Sequence, residues 1–176
     1  PIFAFRRNKN LKDFLIRSKF SSSDIPKETR TLSQPSCKRE NCKYCELLDK
    51  SNTFSSHITK RTYKKKCSYD CETRNVIYMI SCKSCRKQYV GQSKRPVRKR
   101  MYEHIRYIKE NLDQPTGRHF NLPNHTPFDS HFEIIEVIRG DPDDMKSLNL
   151  RNRMEQFWIT KLQTVRPLGI NLQLTR

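Results

Sequence analysis

From Asn75 onward the apolar positions of this chain fall into strand and helix periods; before it they do not. Val76-Ile77-Tyr78-Met79-Ile80 is an unbroken β-branched and aromatic run, which predicts a strand covered on both faces. Gln88-Tyr89-Val90-Gly91 predicts a second strand ended by its glycine. The interval 81–87 then closes a hairpin with Cys82 and Cys85 at its tip. Pro96 suits a first helical turn, and Val97, Met101, Ile105, Ile108 and Leu112 recur at helical spacing after it. Arg100 and His104, four apart, share another face of that helix. A short helical segment is expected over 117–122, a third strand over 132–138 and a turn over 140–144. A helix then runs to about residue 163 with Leu148, Met154, Trp158, Ile159 and Leu162 inward, and 169–174 reads as a last strand.

Upstream the pattern weakens. Residues 1–36 read as a connector, an amphipathic piece over 11–20 followed by the breaker cluster Ser21-Ser22-Ser23-Asp24-Ile25-Pro26. Residues 37–75 are polar and carry cysteines, as expected where a metal replaces an apolar core, and the compact domain is expected over 76–176. The implied fold class is mixed α/β: a small three-stranded antiparallel sheet flanked by helices and preceded by a zinc-binding module.

Charge narrows the partner. The net charge is +18, and hydrophobic residues make up only 34% of the 176 positions, so the core is modest and a polyanion is the natural ligand. The basicity is local. Between Lys83 and Lys109 ten basic residues face one acid, Glu103, whereas acids outnumber bases from Asp113 to Asp144. Lys94, Arg95, Arg98, Lys99 and Arg106 are the candidate phosphate contacts, which would make binding salt-dependent. No run of 18 apolar residues occurs, so no membrane span is expected. The start lacks an initiator Met and a signal-peptide pattern, and reads as cut from a longer chain. The seven cysteines lie in short pairs near histidines, which fits reduced thiolates holding zinc in cytosol or nucleus better than disulfides.

Hydrolysing a phosphodiester requires a nucleophilic water, neutralisation of the phosphate charge and help for the leaving oxygen. A carboxylate-held divalent cation, an arginine fork and a tyrosine or histidine proton carrier meet those needs. Val76-Ile77-Tyr78, with Tyr89-Val90-Gly91 eleven positions on, resembles the paired-strand signature of GIY-YIG nucleases. Arg100 and His104 match the arginine and histidine of that family's next helix, Glu155 matches its metal-binding glutamate, and Asn171 matches an asparagine beyond. Val76 stands where the family name has glycine, and the interval from Gly91 to Arg100 is one residue longer than in bacterial repair and phage homing relatives. Arg98 therefore competes with Arg100, which is preferred because it alone stands four residues before His104. The resemblance implies that Tyr78 or Tyr89 activates the water, with Tyr78 the first choice. It implies that Arg100 stabilises phosphate charge, His104 assists proton transfer or grips a flanking phosphate, Glu155 holds one Mg²⁺ or Mn²⁺, and Asn171 supports the geometry.

Two zinc sites are expected. Cys82-x2-Cys85 is half of a tetrahedral set, and His119 and His125 have the spacing to complete it. This set, with its CxxC between the paired motifs, resembles the endonuclease of Penelope-like retroelements. Cys37, Cys42 and Cys45 await a fourth ligand; that likeness favours Cys71, with Cys67 the competitor and His57 a weaker option. The segment 5–11 also resembles the stretch that follows the reverse-transcriptase part of such proteins. The narrower resemblance implies a nuclear enzyme that nicks double-stranded DNA to expose a 3′-hydroxyl primer, alongside RNA and the reverse-transcriptase part of the same polyprotein. Two alternatives stay open: a non-catalytic zinc-dependent nucleic-acid-binding module, and a structure-specific repair nuclease.

Overall fold

The computed structural model describes Cys37 and residues 42–172. The expected connector over 1–36, with its 5–11 motif, lies outside the described residues, as do 173 and 174 of the expected last strand. In chain order the elements are α1 (Lys43–Leu47), β1 (Thr53–Ser55), β2 (Thr62–Lys64), β3 (Val76–Cys82), β4 (Gln88–Ser93), α2 (Val97–Lys109), α3 (Pro115–Phe120), a 3₁₀ turn (Pro127–Asp129), β5 (Ser130–Val137) and α4 (Met145–Leu162).

The main sheet has the order β4-β3-β5, antiparallel throughout. Because β3 is central and covered on both sides, its side chains are apolar without alternation, which explains the unbroken run 76–80. Its even positions, Val76, Tyr78, Ile80 and Cys82, pack with Val97, Met101 and Ile108 of α2 and with Phe120 of α3. Its odd positions, Ile77 and Met79, pack with Ile159 and Leu162 of α4 and with Phe54 of β1.

Residues 42–71 contribute to both of these cores. Leu48 bridges to Phe132 of β5 and is buried, and Cys45 and Cys71 join the α2 side. Strands β1 and β2 form a hairpin whose Phe54 and Tyr63 rings meet Trp158 edge-on at 5.1 and 5.4 Å. Lys65, just past the hairpin, is buried with its ammonium 2.7 Å from Asp49 and 3.4 Å from Glu133 of β5. Burial pushes Glu133 up to about 7, although Lys65 opposes the shift.

Some boundaries differ from the sequence reading. The short helix starts at Pro115, two residues before the expected 117, because proline suits a first turn. Residues 169–172 form no strand; only an isolated bridge between Val165 and Asn171 is present. Leu112 falls beyond α2, which ends at Lys109. In α4, Leu148 is only half buried, and Ser147 and Arg151 face inward instead. Arg151 donates to Asn75, Gln92 and the Pro142 carbonyl, tying α4 to β4 and to the residue that precedes β3.

Candidate active site and metal centres

The tyrosine of β3 points toward α2. Tyr78 and Tyr89, on neighbouring antiparallel strands, have ring centroids 6.3 Å apart, and the His104 ring lies 5.4 and 5.6 Å from them. Arg100 Nε donates to the Tyr78 hydroxyl at 2.8 Å, and that hydroxyl lies 2.7 Å from His104 Nε2. His104 Nδ1 sits 3.0 Å from Thr116 Oγ1 of α3. The spacing of α2 produces this convergence: Arg100 and His104 are one turn apart, so both reach the same tyrosine. Arg98 turns elsewhere and bonds Glu72 at 2.7 Å, so of the two candidate arginines it is Arg100 that the fold brings to Tyr78.

Protonation states follow from burial. Desolvation, reinforced by the Arg100 charge, holds His104 well below 6.5, so its imidazole is neutral. Burial pushes Tyr78 well up, Tyr89 adding to the rise and Arg100 opposing it, and burial likewise raises Tyr89. Tyr78 is therefore a neutral phenol at rest. With Arg100 able only to donate, the arrangement in which all partners are satisfied has Tyr78 O–H donating to Nε2 and His104 Nδ1–H donating to Thr116.

Glu155 of α4 is half buried, and its charge acts on both tyrosines. Burial raises its carboxyl, opposed by the Arg100 charge and by bonds from Gln92. No ion pair joins it to Arg151 among the described residues. Asn171 approaches from the other side of β4. Its Oδ1 accepts from the Val90 N–H at 2.9 Å and its Nδ2 donates to the Val90 carbonyl at 2.8 Å, as a neighbouring strand would. Gly91 pairs with Tyr78 across the hairpin, and a Cβ there would lie 2.5 Å from the Tyr78 oxygen, so only glycine leaves room for the ring.

Two residues at this site could not be assigned a role from the sequence. Thr116 sits on a short helix whose docking alone brings it to His104. Glu103 was visible only as a lone acid among bases, yet it accepts from Arg100 Nη1 at 2.9 Å and from Arg95 Nη2 at 2.7 Å.

Two clusters could hold metal. Ligand atoms of Cys37, Cys42, Cys45 and Cys71 lie within 4.8 Å of one another, as do those of Cys82, Cys85, His119 and His125. Both are four-membered sets of soft S or N donors, the type that suits tetrahedral zinc. In the first, the Cys45 backbone N–H lowers Cys42 to about 7, while burial raises Cys71. In the second, burial drives His119 down to about 4, keeping its imidazole neutral. Among the described residues neither Cys67 nor His57 belongs to either cluster; the His57 backbone N–H donates to Gln88. A third group, Asp49, His131 and Glu133, already contains the Lys65 ammonium as its cation. Of the expected phosphate contacts, Arg95, Arg98, Lys99 and Arg106 line one groove along α2, where Arg95, Arg98 and Arg106 pair with Glu103, Glu72 and Glu110; Lys94 pairs with Asp143 at 3.0 Å.

No curated protein and no solved structure matches the chain. A family model, the GIY-YIG catalytic domain, matches residues 74–168, a span that holds β3, β4, α2 and α4 and hence Tyr78, Tyr89, Arg100, His104 and Glu155. The chain belongs to the GIY-YIG family, a family of metal-using DNA nucleases.

Proposed function

We propose that this chain is a metal-dependent nickase of duplex DNA, and that Tyr78, Tyr89, Arg100, His104, Glu155 and Asn171 form its active site. The observation that carries the reading is the junction at the Tyr78 oxygen, 2.8 Å from Arg100 Nε and 2.7 Å from His104 Nε2, within the field of the Glu155 carboxylate. A water placed against that oxygen loses its proton to Tyr78 as the phenolic proton passes to His104 Nε2, whose neutral state leaves it able to accept. Arg100 Nε holds the Tyr78 oxygen in place through this exchange, and the guanidinium N–H groups not engaged by Glu103 would contact the phosphate. Tyr89 walls the site, and Asn171 fixes the strand that carries it.

Glu155 is the residue that would hold Mg²⁺ or Mn²⁺. One half-buried carboxylate suits a hard cation that keeps most of its waters. Such a cation supplies neutralisation of the phosphate and stabilisation of the leaving oxygen. Zn²⁺ in the Cys37-Cys42-Cys45-Cys71 and Cys82-Cys85-His119-His125 sets is structural in this reading.

The narrower reading is that the nick leaves a 3′-hydroxyl from which a retroelement's RNA is copied, in the nucleus, beside the reverse-transcriptase part of the same polyprotein. The CxxC set between the two motif strands, completed by two later histidines, supports it. In a supercoiled-plasmid assay the parent chain is expected to nick only with Mg²⁺ or Mn²⁺. Arg100→Ala and Glu155→Ala should each slow it on the order of 10²-fold or more while circular dichroism is unchanged. Variants that cut as fast as the parent would refute the site; a parent that binds DNA but never cuts it would leave a zinc-dependent binding module.

A further inference from the structure

A groove of about 300 Å³ lies along the outer face of α2, at the end of the basic stripe nearest the first cysteine cluster. Its cationic walls are Arg95, Arg98, Lys99 and Arg106. Two tyrosines complete it, Tyr44 from α1 and Tyr102 from α2, and neither was singled out by charge or periodicity. Tyr102 is 55% exposed, a large aromatic ring in water that shares the groove with these cations. Tyr44 lies between Cys42 and Cys45, is backed by the core on one side, and has the Lys43 ammonium 5.5 Å from its ring centroid.

That composition selects among nucleic acids. Guanidinium and ammonium groups alone fit any phosphate backbone, and a base-paired duplex offers them phosphates but presents only base edges to a groove. Aromatic rings set among the cations fit base faces, which a strand exposes only when it is unpaired. The groove also joins the active site through one side chain. Glu103 lines it and accepts both from Arg95 within it and from Arg100, whose Nε is at the Tyr78 oxygen. A strand held there continues toward the phosphate that Arg100 would grip.

We propose that this groove takes an unpaired DNA strand continuous with the one to be cut, so that a duplex with a single-stranded flank is the favoured substrate. The proposal rests on the nuclease reading for the position of the cut, but its binding test does not.

Fluorescence anisotropy of the zinc-loaded full chain, with Mg²⁺ and Mn²⁺ omitted, would compare a labelled blunt duplex with the same duplex carrying an oligothymidylate extension. The extension should tighten binding roughly tenfold, in line with stacking of one or two bases on tyrosine. Tyr102→Ala, a change at an exposed side chain, should abolish that gain and leave the affinity for the blunt duplex unchanged. Tyr44→Leu should do the same if its zinc content matches the parent's. The proposal is overturned if the extension adds nothing, if Tyr102→Ala weakens both probes equally, or if an RNA extension binds more tightly than the DNA one. A parent that prefers the extended probe yet nicks no plasmid refutes the nuclease reading and leaves the groove; a parent that nicks without any preference refutes the groove alone.

Discussion

Burial determines which way a proton can move between Tyr78 and His104. The phenol is held up and the imidazole down, so neither is charged near neutral pH, and the pair can relay a proton only while His104 is free to accept one. Nicking should therefore stay flat as pH falls to 6.5 and drop only below it, since His104 titrates under that ordinary value. A pH–rate profile whose acid limb lies above 6.5 would argue against His104 as the acceptor. The same burial affects stability. In the unfolded chain His104 takes up a proton near 6.5, but in the folded chain only at lower pH, so the stability present above 6.5 is lost progressively as pH falls below it. At this scale the sequence was informative about the residues whose spacing lies within one element, such as Arg100 and His104 on α2. It was silent on Thr116 and Glu103, because a contact made by docking one element on another leaves no periodic trace.

Strand β4 is an edge strand, and it carries Tyr89 and Gly91. Asn171 substitutes for a missing neighbour by offering an amide donor and acceptor to Val90, and Thr164 Oγ1 donates to the same Asn171 oxygen at 2.8 Å. Asn171→Ala leaves the Val90 N–H and C=O buried without these partners, and should cost about 2–4 kcal/mol. Chemical denaturation would register this as a lower midpoint at an unchanged slope. An effect under about half a kilocalorie per mole, the usual range for surface substitutions, would show that the strand holds without it. The stretch 169–174 reads as one more strand, whereas the fold uses a side chain in place of a strand. The β1–β2 hairpin went unread for the opposite reason: three residues per strand are too few for a period to emerge, and Phe54 and Tyr63 acquire meaning only against Trp158.

At the scale of the whole molecule, the two cysteine-containing clusters occupy different supports. One joins α1 to the segment before β3; the other joins the β3–β4 turn to α3 and the loop after it. Native mass spectrometry should find two zinc ions per chain, and a chelator strong enough to strip both should lower the melting midpoint by well over 10 °C, given the large binding energies of structural zinc. A metal-free chain that melts at the parent's midpoint would assign the cysteines another role. The charge pattern was legible from the outset because it is a sum over residues and needs no geometry; the joint origin of the α2 groove was not, because half of its aromatic lining arrives from residue 44.

Trp158 is the chain's only tryptophan, and its indole N–H donates to Glu136 of β5 at 2.7 Å while its rings meet Phe54 and Tyr63. Its emission thus arises from a single seam, where the upstream hairpin closes over the sheet. A red shift without loss of far-ultraviolet signal would mean that this seam has parted while the strands beneath it persist. The protein carries its own optical gauge of whether the β1–β2 hairpin is seated on the sheet.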